Sequence, residues 1–122
     1  MKILVVDDER DIQTLFEQRF RREIRDKSLE FAFAFSGEEA LTYLSFPEHQ
    51  TVLILSDINM PGMSGLELLR HIKQKYVAPP PVVMMITAYG DAENFNKAKE
   101  LGADDFLTKP VDFNYLKEKF RQ

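Results

Sequence analysis

Asp7, Asp8 and Glu9 follow directly on the apolar run Ile3-Leu4-Val5-Val6. Asp57 comes one serine after Val52-Leu53-Ile54-Leu55, Thr87 comes directly after Ile86, and Lys109-Pro110 stands just beyond Phe106-Leu107. Carboxylates, a hydroxyl and an ammonium group therefore each sit where a hydrophobic segment stops. Gathered in one place, carboxylates select a hard cation, Mg²⁺ first, with water completing its shell. A carboxylate beside such a cation can attack a phosphoryl group and form an acyl phosphate. The metal and a neighbouring ammonium then neutralise charge on the transferring oxygens. Lys109 supplies a point positive charge, Thr87 a hydroxyl donor, and small Ala88 leaves room for a phosphoryl group to approach backbone N–H.

The elements that must position these groups are legible as alternating apolar patterns. Residues 3–6 form a continuous apolar run, as expected of a strand buried on both faces. Ile12, Leu15, Phe16, Phe20 and Ile24 recur at helical spacing. Residues 29–35 alternate, with Phe31, Phe33 and Phe35 on one side and Glu30, Ala32 and Ala34 on the other, which suits a strand near a sheet edge. Ser36 with Glu39, and Ser64 with Glu67, carry the signature of a capped helix start. Residues 52–55 and 82–86 read as third and fourth strands, and Pro79, Pro80 and Pro81 stop the helix between them. A short helix over 91–101 is closed by Gly102. Its Phe95, Ala98 and Leu101, at steps of three, are expected to pack inward. A brief fifth strand over 105–107 precedes a last helix marked by Phe113, Leu116 and Phe120.

Five strands alternating with five helices predict an α/β fold: a parallel sheet covered on both faces, of flavodoxin-like order 2-1-3-4-5. In such sheets the site lies at the carboxyl ends of the strands, beside the switch point between strands 1 and 3. Asp7, Asp8, Asp57, Thr87 and Lys109 all fall on that edge. Singly, each has an ordinary explanation: an Asp as a helix cap, Lys-Pro and "NMPG" at 59–62 as turns, the threonine as structure. Jointly these explanations weaken. Two unit charges about 4 Å apart repel by about 4 kcal/mol where the effective dielectric is about 20. That is a large share of the roughly 5–15 kcal/mol that holds a domain together. Either one carboxyl keeps its proton or a cation sits among them.

Composition narrows the class. The chain has 122 residues, 44% hydrophobic and 30% charged, which fits one folded domain over residues 1–122. A net charge of −4 argues against a general nucleic-acid surface. No apolar run approaches a membrane span, no signal peptide is evident, and no cysteine is present for a disulfide or thiolate metal site. A cytoplasmic protein without a membrane partner is the expectation.

Four motifs together resemble the receiver domains of two-component response regulators: "VDDE" at 6–9, "SDINMPGMSGLELL" at 56–69, "ITA" at 86–88 and "GADDFLTKP" at 102–110. The resemblance covers essentially the whole chain. It implies that Asp57 accepts the phosphoryl group and that Asp8 binds Mg²⁺ directly. Asp7 would bind through water or as a second acid, and Asn59 through its backbone carbonyl. Lys109 and Thr87 would hold the phosphoryl oxygens, and the bond before Pro110 would be cis. The donor would be a phosphohistidine on a sensor histidine kinase or a histidine phosphotransfer protein. The family switch couples Thr87 to an aromatic on strand 5, here Phe106, where many relatives carry tyrosine. It is read on the face of helix 4, strand 5 and helix 5, by an output domain, a downstream protein or a phosphorylation-dependent homodimer. In the family, the positions matching Asn59 and Tyr89 tune phosphoryl lifetime, and the resemblance implies that Ala88 and Tyr89 would govern phosphoryl access to Asp57.

On this reading the chain is a phosphorylation-dependent signalling switch rather than an enzyme. Two other readings compete. An aspartate-nucleophile phosphatase would use Asp7 and Glu9 but leaves Asp57 unexplained and lacks an insertion to form a substrate pocket. A receiver-like interaction domain that is never phosphorylated tends to lose an acid, the threonine or the lysine, and all are present. The abrupt end of the last helix favours a receiver cut from a longer protein over a complete single-domain regulator.

Overall fold

In a computed structural model, described over residues 1–76, 81–88 and 90–121, five strands form one parallel sheet. They are β1 (Lys2–Val6), β2 (Glu30–Ala34), β3 (Leu53–Asp57), β4 (Val82–Thr87) and β5 (Asp105–Thr108), in the order β2-β1-β3-β4-β5. Six α-helices accompany them: α1 (Asp11–Arg19), α2 (Arg21–Arg25), α3 (Gly37–Leu44), α4 (Gly65–Lys75), α5 (Ala92–Glu100) and α6 (Phe113–Phe120). The expected flavodoxin-like sheet order is the observed one. Pro79, Pro80 and Tyr89 lie outside the described residues.

Five helices become six because the first expected helix breaks at Phe20, whose backbone (φ −109°, ψ 23°) leaves the helical region. The hydrogen-bond ladder runs on through the break, from Phe20 N–H to Phe16 O and from Ile24 N–H to Phe20 O, both 2.9 Å. The break is thus a kink rather than a loop. Phe20 is fully buried among the rings of Phe16, Phe31, Phe113 and Phe120, with centroids 5.1–6.0 Å away. α3 and α4 start as the sequence implies: Ser36 Oγ accepts from Glu39 N–H, and Ser64 Oγ from Glu67 N–H. Gly102 follows α5 with φ +96°, a conformation that favours glycine.

The sheet separates two cores of different character. On one face α3, α4 and α5 bury aliphatic side chains, among them Leu68, Leu69, Ile72 and Ala98, against Leu4, Ile54 and Met85. On the other, α1, α2 and α6 enclose an aromatic cluster around Phe16 and Phe20, with Phe31 and Phe33 reaching in from edge strand β2. One inward expectation fails. Phe95 is 37% exposed, because its ring lies on that of Phe106, 4.3 Å between centroids, instead of entering the core below Ala98.

Phe16 contacts the rings of Phe20, Phe31, Phe33 and Phe113 and is fully buried. Phe16→Ala is expected to lower stability by about 3–5 kcal/mol, read from the denaturant midpoint. Phe46→Ala, at an exposed ring, should stay within about 0.5 kcal/mol of the parent.

Candidate functional site

Parallel pairing brings the strand ends to one level. Val6 pairs with Ala34 and with Ser56, Asp57 with Ile86, and Thr87 with Thr108. Asp7 therefore leaves β1 beside the end of β3, and its N–H donates to Ala34 O at 3.1 Å. Asp57 and Thr87 are the last residues of their strands, and Lys109 follows β5 with its N–H donating to Thr87 O at 2.9 Å. The Lys109–Pro110 peptide is cis.

Capping does not account for these acids. The residue before α1 is Arg10, without a side-chain cap, and α4 is capped by Ser64. Instead, carboxylate oxygens of Asp7, Asp8 and Asp57 lie within 4.8 Å of one another. Asp7 and Asp57 are each 3% exposed, and Asp8 stands open at the rim. Lys109 Nζ is 2.8 Å from Asp57 Oδ2. Glu9 N–H donates to Asp7 Oδ1 at 2.9 Å, which fixes the first turn after β1. Thr87 is buried, and among the described residues its hydroxyl reaches only Leu107 O, at a long 3.5 Å, so a better acceptor nearby could claim it. Asn59 and Ala88 are exposed, two residues past Asp57 and one past Thr87. Phe106 is half-buried beneath Phe95.

Burial pushes the Asp7 carboxyl above its ordinary value, and the charge of Asp57 adds to this against the pull of the Glu9 amide. For Lys109, burial pulls the ammonium down. The hydrogen bond and charge of Asp57, with the charges of Asp7 and Glu9, outweigh it and hold the group above its ordinary range. Three ionised carboxylates against one ammonium leave two negative charges, which a divalent cation would neutralise. An oxygen-only donor set around an open rim suits a hard ion that keeps part of its water.

Gly65 was not singled out by sequence motifs, yet it builds the site's floor. Its N–H donates to Ile58 O at 2.7 Å. A Cβ there would run into the carbonyl of Asp57 and the backbone of Ile58. The available signal was a glycine just inside a helix start, where it lowers helix propensity and so needs another reason.

Comparison with known proteins agrees with this geometry. The family model described as response regulator receiver domain matches residues 3–121. The response regulator protein PilR of Pseudomonas aeruginosa is 40% identical over 96% of this chain. The chain spans only 24% of that relative. Among solved structures, the receiver domain of NtrX from Brucella abortus is 32% identical, with a TM-score of 0.77, covering 97% of this chain and 96% of that one. The Vibrio cholerae chemotaxis protein CheY4 is 27% identical with a TM-score of 0.82, covering 98% and 95%. The family match overturns the expectation of a domain that is not an enzyme: receiver domains have phosphoryl-transfer (autophosphorylation) activity. Among the described residues, no helix is long and apolar enough to cross a membrane.

The raised Asp7 carboxyl sets a pH dependence for the metal-free protein. Between the unfolded value near 3.8 and the higher folded one, the folded state holds a proton that the unfolded chain has released. Stability therefore falls as pH rises through that window. Asp7→Asn is expected to remove this decline and to raise stability near neutral pH by about 1 kcal/mol or more, measured by denaturation in chelator. Gly65→Ala should lower stability by about 1–3 kcal/mol in the same assay, because the backbone it meets cannot give way cheaply.

Proposed function

Because the chain belongs to the response regulator receiver family, we propose that it is one receiver domain, over residues 1–122, that takes a phosphoryl group onto Asp57 and uses it to switch a partner. The observation that carries this reading is the buried Asp57 carboxylate, 2.8 Å from Lys109 Nζ and clustered with Asp7 and Asp8.

An Asp57 oxygen attacks the phosphorus of a phosphohistidine on a sensor histidine kinase or a histidine phosphotransfer protein. A P–O bond forms, the P–N bond breaks, and the leaving imidazole keeps the electron pair and takes a proton. Asp8, Asp57 and the Asn59 carbonyl would hold Mg²⁺, with Asp7 acting through water or as a second acid, and the ion would supply charge neutralisation for the transferring oxygens. Lys109 moves from the Asp57 carboxylate to a phosphoryl oxygen. Its side chain is 38% exposed, which leaves it freedom to do so. Thr87 exchanges its long bond to Leu107 O for a bond to the same group. Ala88 leaves the approach open. Tyr89, outside the described residues, is the proposed shield against hydrolysis, as Asn59 is a proposed modulator of phosphoryl lifetime.

Movement of Thr87 is coupled to Phe106, whose ring has an outer resting place on Phe95. With phenylalanine in place of the tyrosine common in relatives, the switch works by packing, without a hydroxyl. α5, β5 and α6 then form the face that an output domain, a downstream protein or a second copy reads. A cytoplasmic location goes with this reading, since the nucleotide that feeds such a kinase is there.

Intact-mass measurement after incubation with Mg²⁺ and a small acyl phosphate is expected to show one added phosphoryl group. Chelation and Asp57→Asn should each abolish the gain. If no mass is gained and a beryllium–fluoride phosphoryl mimic also fails to bind with Mg²⁺, the reading is wrong.

A further inference from the structure

The end of the sheet opposite the acid pocket is apolar and open. Met1, Val52 and Val82 are 41%, 52% and 42% exposed, three of the large hydrophobic side chains most open to water. They adjoin one another. Val52 N–H donates to Lys2 O and Val82 N–H to Val52 O, at 3.0 and 3.1 Å, so they stand where β1, β3 and β4 begin. Two cavities open on this floor. One, of about 340 Å³, lies under Val52 and Val82 beside Asp104 and Asp105. The other, of about 430 Å³, lies beside Phe20, Leu29 and Glu23. Met1 and Phe120 line both. In the second, Glu23 Oε1 is buried without a hydrogen-bond partner among the described residues.

A strongly basic corner borders the floor. Arg19, Arg21, Arg22, Arg25 and Lys27 fall within nine residues around α2, all exposed, in a chain of net charge −4. Among the described residues none of them lies within ion-pair distance of an acid. Arg22, Lys117 and Arg121 line the second cavity itself.

We propose that this floor docks a protein segment that is apolar along one side and acidic along the other. Contiguous exposed apolar surface with a polar rim marks an interaction site. Concave apolar pockets take protruding side chains, and the arginines complement an acidic flank. The cavities are also lined by carboxylates, those of Glu23, Asp26, Asp104 and Asp105. A layer of anionic lipid headgroups or a nucleic-acid backbone would meet these as repulsion and could not fill the concavity. Bound here, a partner leaves the mouth around Asp57 clear at the far end of the strands.

The test is titration of the whole isotope-labelled chain with a synthetic amphipathic helix, leucine at i, i+3, i+4 and i+7 and glutamate elsewhere, followed by amide shifts and fluorescence anisotropy. Saturable shifts are expected at Val52, Val82, Phe120 and Arg22. Val52→Asp should weaken binding about tenfold or more, and Arg22→Glu several-fold, with affinity falling as salt rises. Phosphoryl uptake at Asp57 should be unchanged in Val52→Asp, which separates this inference from the function proposed above. Absence of saturable binding, shifts at another surface, or equal binding of the lysine-for-glutamate helix would overturn it. So would preference for phosphatidylglycerol vesicles or duplex DNA, or self-association lost in Val52→Asp, which would assign the face to lipid, nucleic acid or a second copy.

Discussion

Repulsion between the Asp7 and Asp57 carboxylates, both closed off from water, is the constraint around which this molecule is arranged. A parallel sheet cannot disperse residues that follow its strands, because every strand ends on the same edge. The chain compensates with devices that are each partial. Glu9 N–H holds one oxygen of Asp7. Lys109 holds one oxygen of Asp57, and its own backbone is tied to the end of β4. Asp8 is left in water. What remains is an excess of negative charge at a pocket rigidly framed from below by the contact of Gly65 with the Asp57 backbone. Like charges held this close are relieved by a proton or by a cation.

The two faces of the sheet support this edge differently. Beneath α1, α2 and α6, rings pack on rings, and phenylalanine at contact positions gives large area with few rotatable bonds. On the opposite face the filling is aliphatic, with Met60, Met63 and Met85 among the side chains and Phe106 at its margin. Methionine repacks more readily than an aromatic ring. β5 and α5, the elements that carry Phe106 and Phe95, thus border the more adaptable of the two cores.

How far the sequence alone could go depends on what each pattern measures. β1, β3 and β4 were legible because a strand buried on both faces is apolar at every position; handedness restricted the strand orders without singling one out, and the alternation of β2 suited an edge. The site edge was legible for the same reason, since polar residues stood directly after those runs. The kink at Phe20 was not: Phe16, Phe20 and Ile24 keep perfect helical spacing through it, and the departure is in backbone torsion. Phe95 was misplaced because spacing of three also fits a residue whose outward turn is set by a ring on another element, Phe106. Gly65 carries no side chain from which a role could be read; only the backbone opposite it shows why nothing larger fits. Val52 and Val82 look like ordinary strand starts, and nothing in their spacing marks them as exposed.

Charge is sorted along the strand axis, and helix electrostatics explains part of it. Helices in this fold begin at the carboxyl edge and end at the amino edge. Their first turns carry Asp11, Glu38, Glu39, Glu67 and Glu93, and their last turns Lys73, Lys75, Lys97, Lys99, Lys117 and Lys119, the arrangement that helix dipoles favour. The positive ends of those dipoles therefore face the acid pocket and lessen its internal repulsion. At the other edge the same rule accounts for one or two cations per helix. It does not account for three arginines on the five residues of α2, nor for hydrophobic side chains left open beside them. Dipole complementarity operates on charge at helix ends and is silent about Met1, Val52 and Val82. An apolar floor within reach of surplus cations thus needs a cause outside the fold's own stability, and a surface selected for contact supplies one.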